Sequence, residues 1–370
     1  MKRVVFDATT ILPGRKIDGI GRTTKGLLDA FSKMELPFEL VLFTQKLRGK
    51  RLQDYPYKKC NLPLPKWQLV SFFEEKFPIK ELYCKGDLYH IPHNFAPMYD
   101  YSKVVLTIHD AMFFSYPENF KDSETLRIKL PKIANKCKAI ITISEASKKD
   151  IMKYLNVDED KIYVIPWGID LDFFTPSKNF EETKNFLREK FNIERPYFLS
   201  VSCDIGRKNT DKLISEYIKF ITQEKSNHDL VLIWGNPPKE IYELIKKYNV
   251  DNKIHILNYV NDKELLELYR GAKALFFPSN YEGFGLPVLE AMACGTVVVT
   301  SPFSSLPEVG GDAVIYVYPN KEGMMFDIMS KIINNKINLK DYIIKGLKHV
   351  KNFTWEECAI KTIKVYKDLL

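Results

Sequence analysis

Short apolar runs, rich in β-branched residues, recur along the chain and alternate with longer stretches of helical character. The runs of the first half are Arg3–Asp7, Phe38–Phe43, Leu88–Ile91, Val104–Ile108, Ala139–Ile143 and Ile162–Ile165. The pattern restarts after Pro196 with Tyr197–Ser202, Leu230–Trp234, Lys253–Leu257, Ala274–Phe277, Thr296–Ser301 and Ala313–Tyr318. Nearly continuous apolar strands that alternate with helices predict parallel sheets covered on both faces. Two such series predict two doubly wound, Rossmann-like α/β domains.

A chain of 370 residues is too long for one ordinary core. We therefore expect an N-terminal domain over residues 1–175 and a C-terminal domain over residues 190–350. The polar stretch Thr175–Asn185 is the predicted linker, and a last helix over residues 354–370 can pack on either domain. Ligands of doubly wound sheets bind outside the carboxyl ends of the strands, so we expect the site in a cleft that both domains face.

The cysteine usage and the hydropathy indicate a cytoplasmic protein. The six cysteines are scattered and form no C-x-x-C pair, which is typical of reduced thiols. No stretch reaches the roughly 20 consecutive apolar residues of a transmembrane helix. The first residues, "MKRVVFDATT", lack the apolar core of a signal peptide and resemble a first strand.

The net charge of +8 is concentrated in part between Lys46 and Lys59, where six Lys or Arg residues face Asp54 alone. Aromatic residues, such as Tyr55 and Trp67, are interleaved or follow soon after. A basic, aromatic segment suits an anionic membrane surface or a phosphate-bearing acceptor. The alternative is an ordinary solvated lysine-rich face. A nucleic-acid partner is not expected, because no recognised nucleic-acid motif accompanies the charge.

The stretch "NYEGFGLPVLEAMACG" (Asn280–Gly295) predicts a glycine-bearing loop followed by a helix. Glycines let backbone N–H groups approach a ligand, and the helix N-terminus favours negative charge. Glu282 lies in the loop and Glu290 lies in the apolar helix. A buried carboxylate needs hydrogen-bond partners. The hydroxyls of a sugar and of a ribose can supply them; the alternative for Glu290 is an Arg or a backbone donor of the chain itself.

The run "EGFGLPVLE" resembles the E-x7-E signature of retaining glycosyltransferases of family 4, which have the GT-B architecture of two Rossmann-like domains. The difference 290 − 282 leaves seven residues between the two glutamates. The segment that follows, "GTVVVTSPFSSLPEVGGDAVIYVYP" (Gly295–Pro319), resembles the same family. The resemblance implies a nucleotide-sugar donor bound mainly to the C-terminal domain and an acceptor bound to the N-terminal domain. Closure of the domains would limit donor hydrolysis.

The resemblance assigns a donor site to Arg207, Lys208, Tyr259, Val260, Leu265, Glu282, Gly283, Phe284, Gly285, Leu286 and Glu290. Arg207 and Lys208 would neutralise the diphosphate together with the Gly285–Leu286 amides. The family usually carries an arginine five positions before the lysine, where this chain has Cys203.

The resemblance also assigns residues to the base, the ribose and the sugar of the nucleotide sugar. The base would meet the backbone near Tyr259 and Val260, with Leu265 packed nearby. The ribose would be held by Glu290, and the sugar by Glu282 and His109.

In the N-terminal half, "VVLTIHDAMFF" puts His109 at the carboxyl end of a strand. We expect His109 and Glu282 to be the catalytic residues, through orientation and charge stabilisation rather than nucleophilic attack. The alternative for His109 is a histidine that only satisfies the fold. Gly19, Gly21 and Arg22 are the predicted acceptor or phosphate loop. Trp167 replaces a residue that is usually small and polar in the family.

These features predict a retaining hexosyltransferase of surface polysaccharide biosynthesis, such as that of lipopolysaccharide. Its acceptor is a glycan or a lipid-linked glycan, and its location is peripheral at the inner face of the plasma membrane. The "RKN" form resembles mannosyltransferase-like members of the family, and with "TIHD" this resemblance favours GDP-mannose, while UDP- and dTDP-sugars remain open. A non-catalytic nucleotide-sugar binding module and a GT-B epimerase or phosphorylase are the alternatives.

No metal and no other cofactor are expected. The D-x-D patterns at Asp158–Asp160 and Asp170–Asp172 are dismissed as metal sites, because Arg207, Lys208 and a helix N-terminus already supply positive charge.

Overall fold

The computed structural model describes residues 1–11, 19–45, 52, 55–62, 79–94, 98–119 and 123–370. They form two compact units. Unit 1 consists of Met1–Gly168 together with Phe353–Leu370, and unit 2 consists of Ile169–Asn352. The division follows from the packing of each unit around its own parallel sheet.

The sheet of unit 1 is built from the apolar runs of the first half. Its strands are β1 (Arg3–Asp7), β2 (Glu39–Gln45), β3 (Lys58–Leu62), β4 (Leu88–Ile91), β5 (Val104–Thr107), β6 (Ala139–Thr142) and β7 (Ile162–Val164). The described strands are parallel neighbours in the order β3-β2-β1-β4-β5-β6-β7. All residues of β4, β5 and β6 are buried, which explains why these runs are apolar rather than alternating.

The helices of unit 1 are α1 (Gly19–Phe31), α2 (Ile79–Tyr83), α3 (Met112–Ser115), α4 (Ser123–Lys136), α5 (Glu145–Leu155) and α14 (Trp355–Leu369). The C-terminal helix α14 packs on α1. A Cβ atom on Gly26 of α1 would lie 2.3 Å from the Trp355 ring, so glycine is what allows this close approach. Farther along α14, Tyr366 is fully buried beside Phe31 and Phe38.

Unit 2 repeats the architecture with a smaller sheet. Its strands are β8 (Tyr197–Ser200), β9 (Asp229–Ile233), β10 (Ile254–Leu257), β11 (Ala274–Phe277), β12 (Val298–Thr300) and β13 (Ile315–Tyr316). The described strands are parallel, in the order β10-β9-β8-β11-β12-β13. Because β8 and β11 are neighbours, the loops that leave their carboxyl ends meet at one edge of the sheet.

The helices of unit 2 are α6 (Phe180–Phe191), α7 (Thr210–Glu224), α8 (Lys239–Lys247), α9 (Asp262–Gly271), α10 (Leu286–Ala293), α11 (Leu306–Gly310), α12 (Met324–Ile333) and α13 (Leu339–His349). Helix α9 begins with a reciprocal capping box between Asn261 and Glu264. Helix α10 begins after Gly285, which has φ +118°. These two helices carry the two ends of the predicted donor site.

Two features of the structure differ from the sequence-based expectations. The predicted linker Thr175–Asn185 is wrong, because α6 begins at Phe180 within unit 2. Its start is capped by Asn179, whose side chain accepts a hydrogen bond from the Glu181 amide. Strand β3 was not predicted, since its sequence, "KKCNL", is polar.

The basic segment ends in β3. Lys58 forms an ion pair with Glu39 at 2.5 Å, and Lys59 donates a hydrogen bond to the Tyr55 carbonyl at 2.6 Å. Lysines on an edge strand also discourage pairing with another chain. The remaining basic residues of the segment (Lys46, Arg48, Lys50 and Arg51) and Trp67, Phe72, Phe73 and Phe77 lie outside the described residues.

Candidate active site

A carboxylate in unit 2 lies between two cations. Glu282, in the loop after β11, has its Oε1 atom 2.9 Å from Arg207 Nη1 and 2.9 Å from Lys208 Nζ. The three side chains are largely buried, with 13% of Glu282 and 10% of each cation exposed. Arg207 also donates to the Tyr281 carbonyl at 2.6 Å. The predicted diphosphate-binding residues and the predicted sugar-binding residue therefore lie together.

The charges of the two cations keep Glu282 ionised. Burial by itself raises the pKa of the Glu282 carboxyl, but the charges of Lys208 and Arg207 outweigh it, so the pKa is lowered. Two positive charges and one negative charge leave the cluster with an excess of one positive charge. Such a cluster attracts an anionic ligand, and the ligand has to share the cations with Glu282.

The cations are positioned by a junction between the two loops. Arg207 and Lys208 lie in a short 3-10 turn between β8 and α7. Next to it, Asn209 adopts φ +52° and donates a hydrogen bond to the Pro278 carbonyl at 2.7 Å. In return the Asn280 amide donates to the Arg207 carbonyl at 2.8 Å. These bonds tie the loop after β8 to the loop after β11.

Two serines hold the glycine loop from the other side. Ser304 and Ser305 donate to the Glu282 carbonyl at 2.7 and 2.8 Å, and Ser305 is also 2.6 Å from the Phe284 carbonyl. Gly285 has a left-handed φ, and a Cβ atom there would lie 3.0 Å from the Leu306 side chain. Ser304 and Ser305 were missed as site residues. Their signal was present in the sequence as adjacent hydroxyl residues just before α11.

Glu290 has a partner within the chain. The Tyr269 hydroxyl donates a hydrogen bond to Glu290 Oε2 at 2.8 Å, and both residues are buried. The sequence-based expectations for Glu290, ligand hydroxyls or an Arg or backbone donor of the chain, did not include a tyrosine hydroxyl. Tyr269 was missed because it lies on α9 and the contact joins two separate helices. The bond fixes the orientation of the carboxylate.

Three polar atoms of the loop junction are buried without a hydrogen-bond partner among the described residues. They are Arg207 Nε, Ser279 Oγ and Asn280 Oδ1. Buried polar atoms are normally satisfied, so each such atom requires an explanation. A donor and an acceptor left open beside Glu282 are what a ligand that carries both oxygens and hydroxyl groups would satisfy.

The predicted base-binding residues lie at the other end of the same sheet edge. Tyr259 follows β10 and is 67% exposed. Val260 is half-buried and follows it directly, while Leu265 is half-buried in the first turn of α9. Strands β9 and β8 separate β10 from β11. The structure therefore spreads the predicted donor site along the carboxyl edge of the sheet.

The predicted residues of unit 1 also follow the carboxyl ends of strands. His109, after β5, is buried; its Nε2 atom lies 3.1 Å from the Pro92 carbonyl and its ring 5.1 Å from the Trp167 ring. A cavity of about 30 Å³ beside it is also lined by His90 and Thr107, enough space for a water molecule. Burial lowers the pKa of His90 to about 3, so that imidazole is neutral.

The predicted acceptor loop coincides with the start of α1. Gly19 is the first residue of the helix, Gly21 is buried, and Arg22 is exposed. Among the described residues, none has an atom within 4 Å of a Cβ atom built on Gly19.

The described residues hold no group of three or more His, Cys, Asp or Glu side chains placed to bind a metal ion. The Asp170 carboxylate accepts hydrogen bonds from the amides of Asp172 and Phe173 at 3.1 and 3.0 Å, as in an ordinary turn. In the described ranges, every helix is too short or too polar to cross a lipid bilayer.

Two family models match this chain. One is glycosyl transferases group 1 over residues 182–349, and the other is Glycosyltransferase Family 4 over residues 17–173. Among similar proteins, O-antigen chain mannosyltransferase B of Escherichia coli is 30% identical over 288 residues, which cover 76% of this chain and 74% of that protein.

Solved structures share the fold. A glycosyltransferase from Rickettsia africae ESF-5 superposes with a TM-score of 0.75 at 18% identity, over 100% of this chain and 98% of that one. Anabaena Alr3699/HepE in complex with UDP and glucose superposes with a TM-score of 0.74 at 15% identity, over 100% of both chains. The predicted fold class, two Rossmann-like α/β units of GT-B type, is confirmed.

Proposed function

The chain belongs to glycosyltransferase family 4 and is a hexosyltransferase, and from this premise we propose that it transfers mannose from GDP-mannose, with retention, to a glycan or lipid-linked acceptor. The similarity to an O-antigen chain mannosyltransferase supports mannose as the sugar and a surface polysaccharide as the product. The cation–carboxylate cluster of Arg207, Lys208 and Glu282 is the observation that carries the proposal.

The reaction breaks the bond between C1 of the sugar and the diphosphate oxygen and forms a bond between C1 and an acceptor hydroxyl oxygen. Negative charge develops on the leaving diphosphate. Arg207, Lys208 and the amides of Gly285–Leu286 stabilise that charge. The acceptor attacks from the face that the leaving group occupies, and its proton passes to the diphosphate. Glu282 accepts hydrogen bonds from the sugar hydroxyls and holds C1 in position.

The nucleotide is bound along the sheet edge described above. Glu290 accepts hydrogen bonds from the ribose hydroxyls, with its carboxylate oriented by Tyr269. The backbone near Tyr259 and Val260 meets the base, beside Leu265. In unit 1, His109 and the Gly19–Arg22 loop serve the acceptor and the transferred sugar. We propose that no divalent cation takes part, because Arg207 and Lys208 carry the charge that a metal would carry. Activity that survives EDTA supports this, and activity that EDTA abolishes contradicts it.

The test is release of nucleoside diphosphate from matched donors. Purified protein is incubated with GDP-mannose, UDP-glucose or dTDP-glucose, with and without octyl glycosides as acceptor probes. We expect the fastest release with GDP-mannose, and release that increases when the acceptor is present. Lys208→Met is expected to slow transfer about hundredfold. The matched control is Lys219→Met, since that lysine is paired with Glu322 on the surface of the same unit. Donor binding without release for every acceptor would contradict the proposal and favour a binding module.

We also propose peripheral attachment to an anionic membrane. An aromatic pair in unit 1 supports it. Phe114 and Tyr154 are stacked at 5.0 Å, and they are flanked by Arg127 and Lys153 at 5.9 and 4.7 Å from the ring centres. The exposed Ile128 lies next to Arg127. Cations beside apolar side chains are what an anionic lipid interface binds.

Co-sedimentation with phosphatidylglycerol vesicles at low and high salt tests the membrane proposal. We expect binding at low salt that high salt weakens, and much weaker binding of an Arg127→Glu/Lys153→Glu variant. Lys219→Glu/Lys239→Glu, at two surface lysines of unit 2, is the matched control for the same change of charge. No binding at either salt concentration would remove the membrane from the proposal.

A further inference from the structure

Unit 1 contains a buried ion pair that the proposed reaction does not use. Asp7, the last residue of β1, has its Oδ2 atom 2.5 Å from Lys80 Nζ in α2. Only 2% of the Asp7 side chain and 5% of the Lys80 side chain are exposed. Asp7 Oδ1 accepts hydrogen bonds from the Thr9 amide and hydroxyl, and the Lys80 ammonium lies 4.8 Å from the centre of the Phe43 ring.

Stability alone does not account for this pair. Removing two charges from water costs several kcal/mol per ion, and a well-packed apolar pair is often as stable or more stable. Burial raises the pKa of the Asp7 carboxyl, but Lys80 and His93 outweigh it, so the pKa lies far below its ordinary value. Asp7 is therefore a fixed anion, held in one orientation by Thr9 and Lys80.

His93 is the accessible end of this cluster. Its Nε2 atom lies 3.6 Å from the same Asp7 Oδ2 atom, and 17% of its side chain is exposed. His93 follows β4, which pairs with β1, so the cluster lies at the carboxyl edge of the sheet, where ligands of such folds bind. The preceding carbonyl, that of Pro92, accepts the hydrogen bond from His109. His109 is thus hydrogen-bonded to the residue that directly precedes His93.

We infer that His93 binds a hydroxyl group of the acceptor glycan, with Asp7 and Lys80 as positioning residues. The inference rests on the proposed function for the existence of a glycan acceptor. In the neutral imidazole, a carboxylate beside Nε2 favours the tautomer with its proton on Nε2, which leaves Nδ1 as a hydrogen-bond acceptor. The Asp7–Lys80 pair has no net charge, so it holds no excess positive charge that would attract a phosphate group. A neutral sugar hydroxyl can donate to Nδ1 without bringing a charge to the cluster.

The first experiment compares His93→Ala and His93→Gln with the wild type, using GDP-mannose and a panel of octyl α-mannoside, octyl α-galactoside and octyl β-N-acetylglucosaminide. We expect His93→Ala to raise the KM for the acceptor about tenfold. The KM for GDP-mannose and the GDP release without acceptor stay within about twofold. Glutamine can still accept a hydrogen bond, so His93→Gln restores part of the effect. An unchanged acceptor KM, or equal changes in both KM values, overturns the inference.

The matched control is His255→Ala. His255 pairs with a buried aspartate, Asp229, at 2.9 Å and is 20% exposed, but it belongs to unit 2. It therefore repeats the His–Asp arrangement without the proposed ligand, and we expect an unchanged acceptor KM.

The positioning role needs a variant that removes both charges, since a single change would leave an unpaired buried ion. Asp7→Asn/Lys80→Met keeps similar volumes without the charges. We expect it to unfold at a temperature close to that of the wild type, yet to raise the acceptor KM as His93→Ala does. A wild-type acceptor KM in this double variant would show that the pair serves the fold alone.

Saturation-transfer NMR with the same octyl glycosides separates this inference from the proposed function, because it needs no donor and no turnover. We expect at least one glycoside to bind the wild type and to bind His93→Ala about tenfold more weakly. No binding of any glycoside to the wild type, or equal binding by both proteins, overturns the inference even if GDP-mannose is turned over. Failure of every donor to release nucleotide would instead contradict the proposed function.

Discussion

Replacing Glu282 by glutamine is expected to tighten nucleotide binding while it slows transfer. Arg207 and Lys208 each lie 2.9 Å from the Glu282 carboxylate, so a bound diphosphate has to share them with that anion. Two anions that share one ammonium group lie about 5 Å apart. Their repulsion is then about 1 to 3 kcal/mol for dielectric constants between about 80 and about 20. Removal of the charge should therefore tighten GDP binding roughly fivefold to hundredfold.

Isothermal titration with GDP and steady-state kinetics with GDP-mannose measure the two effects separately. Transfer should slow about hundredfold, because the sugar loses its charged hydrogen-bond acceptor. Glu216→Gln is the matched control, since Glu216 is a buried glutamate of the same unit with a lysine, Lys219, at 3.6 Å. Equal or weaker GDP binding by Glu282→Gln would refute the reasoning that the carboxylate and the diphosphate compete for the same cations.

Three further predictions concern single contacts. Tyr269→Phe removes the donor to Glu290 Oε2 and should weaken GDP binding about tenfold in titrations, with kcat little changed; unchanged binding would contradict the role of the contact. Gly26→Ala should lower the free energy of unfolding in urea by about 1 to 3 kcal/mol, because the new Cβ meets the Trp355 ring. Helix propensity alone predicts that the free energy of unfolding rises by about 1 kcal/mol, so a measured rise would contradict the role of the close contact. The pKa of Glu282 is lowered from its ordinary value of 4.5 on folding, so its ionisation stabilises the protein above that pH and the benefit is lost as the pH falls through the lowered pKa. In thermal melts the wild type should therefore lose more stability below about pH 4.5 than Glu282→Gln, and parallel profiles would contradict this.

The sequence predicted the elements whose signals are local. Strands β1, β4 and β11 have the predicted bounds, because short apolar runs rich in β-branched and aromatic residues mark them. Strand β3 was missed because an edge strand with exposed lysines lacks the apolar pattern. The linker prediction fails at the start of α6 because its polar residues hide the helix-start signal, which is Asn179 followed by two acidic residues in the first turn.

The contacts of the candidate site were less predictable than its residues. The E-x7-E spacing indicated Glu282 and Glu290, but the sequence gives no reason to pair Glu290 with Tyr269. Asp7 and Lys80 are separated by 73 positions, and neither belongs to a motif, so only the packing of α2 against the end of β1 brings them together. Pairings of this kind depend on tertiary geometry, which periodicity and spacing do not encode.

Arg207, Lys208 and Glu282 are proposed to carry out the retaining transfer of mannose from GDP-mannose. The most direct test is NMR of the product formed from GDP-mannose and an octyl glycoside acceptor, with GDP release followed in the same sample. The one-bond coupling between C1 and H1 of the transferred mannose reports its anomeric configuration. We predict an α-linked product formed with one GDP released per transfer, and about hundredfold slower formation of both in Lys208→Met. A β-linked product, or no release of GDP with any acceptor, would contradict the account.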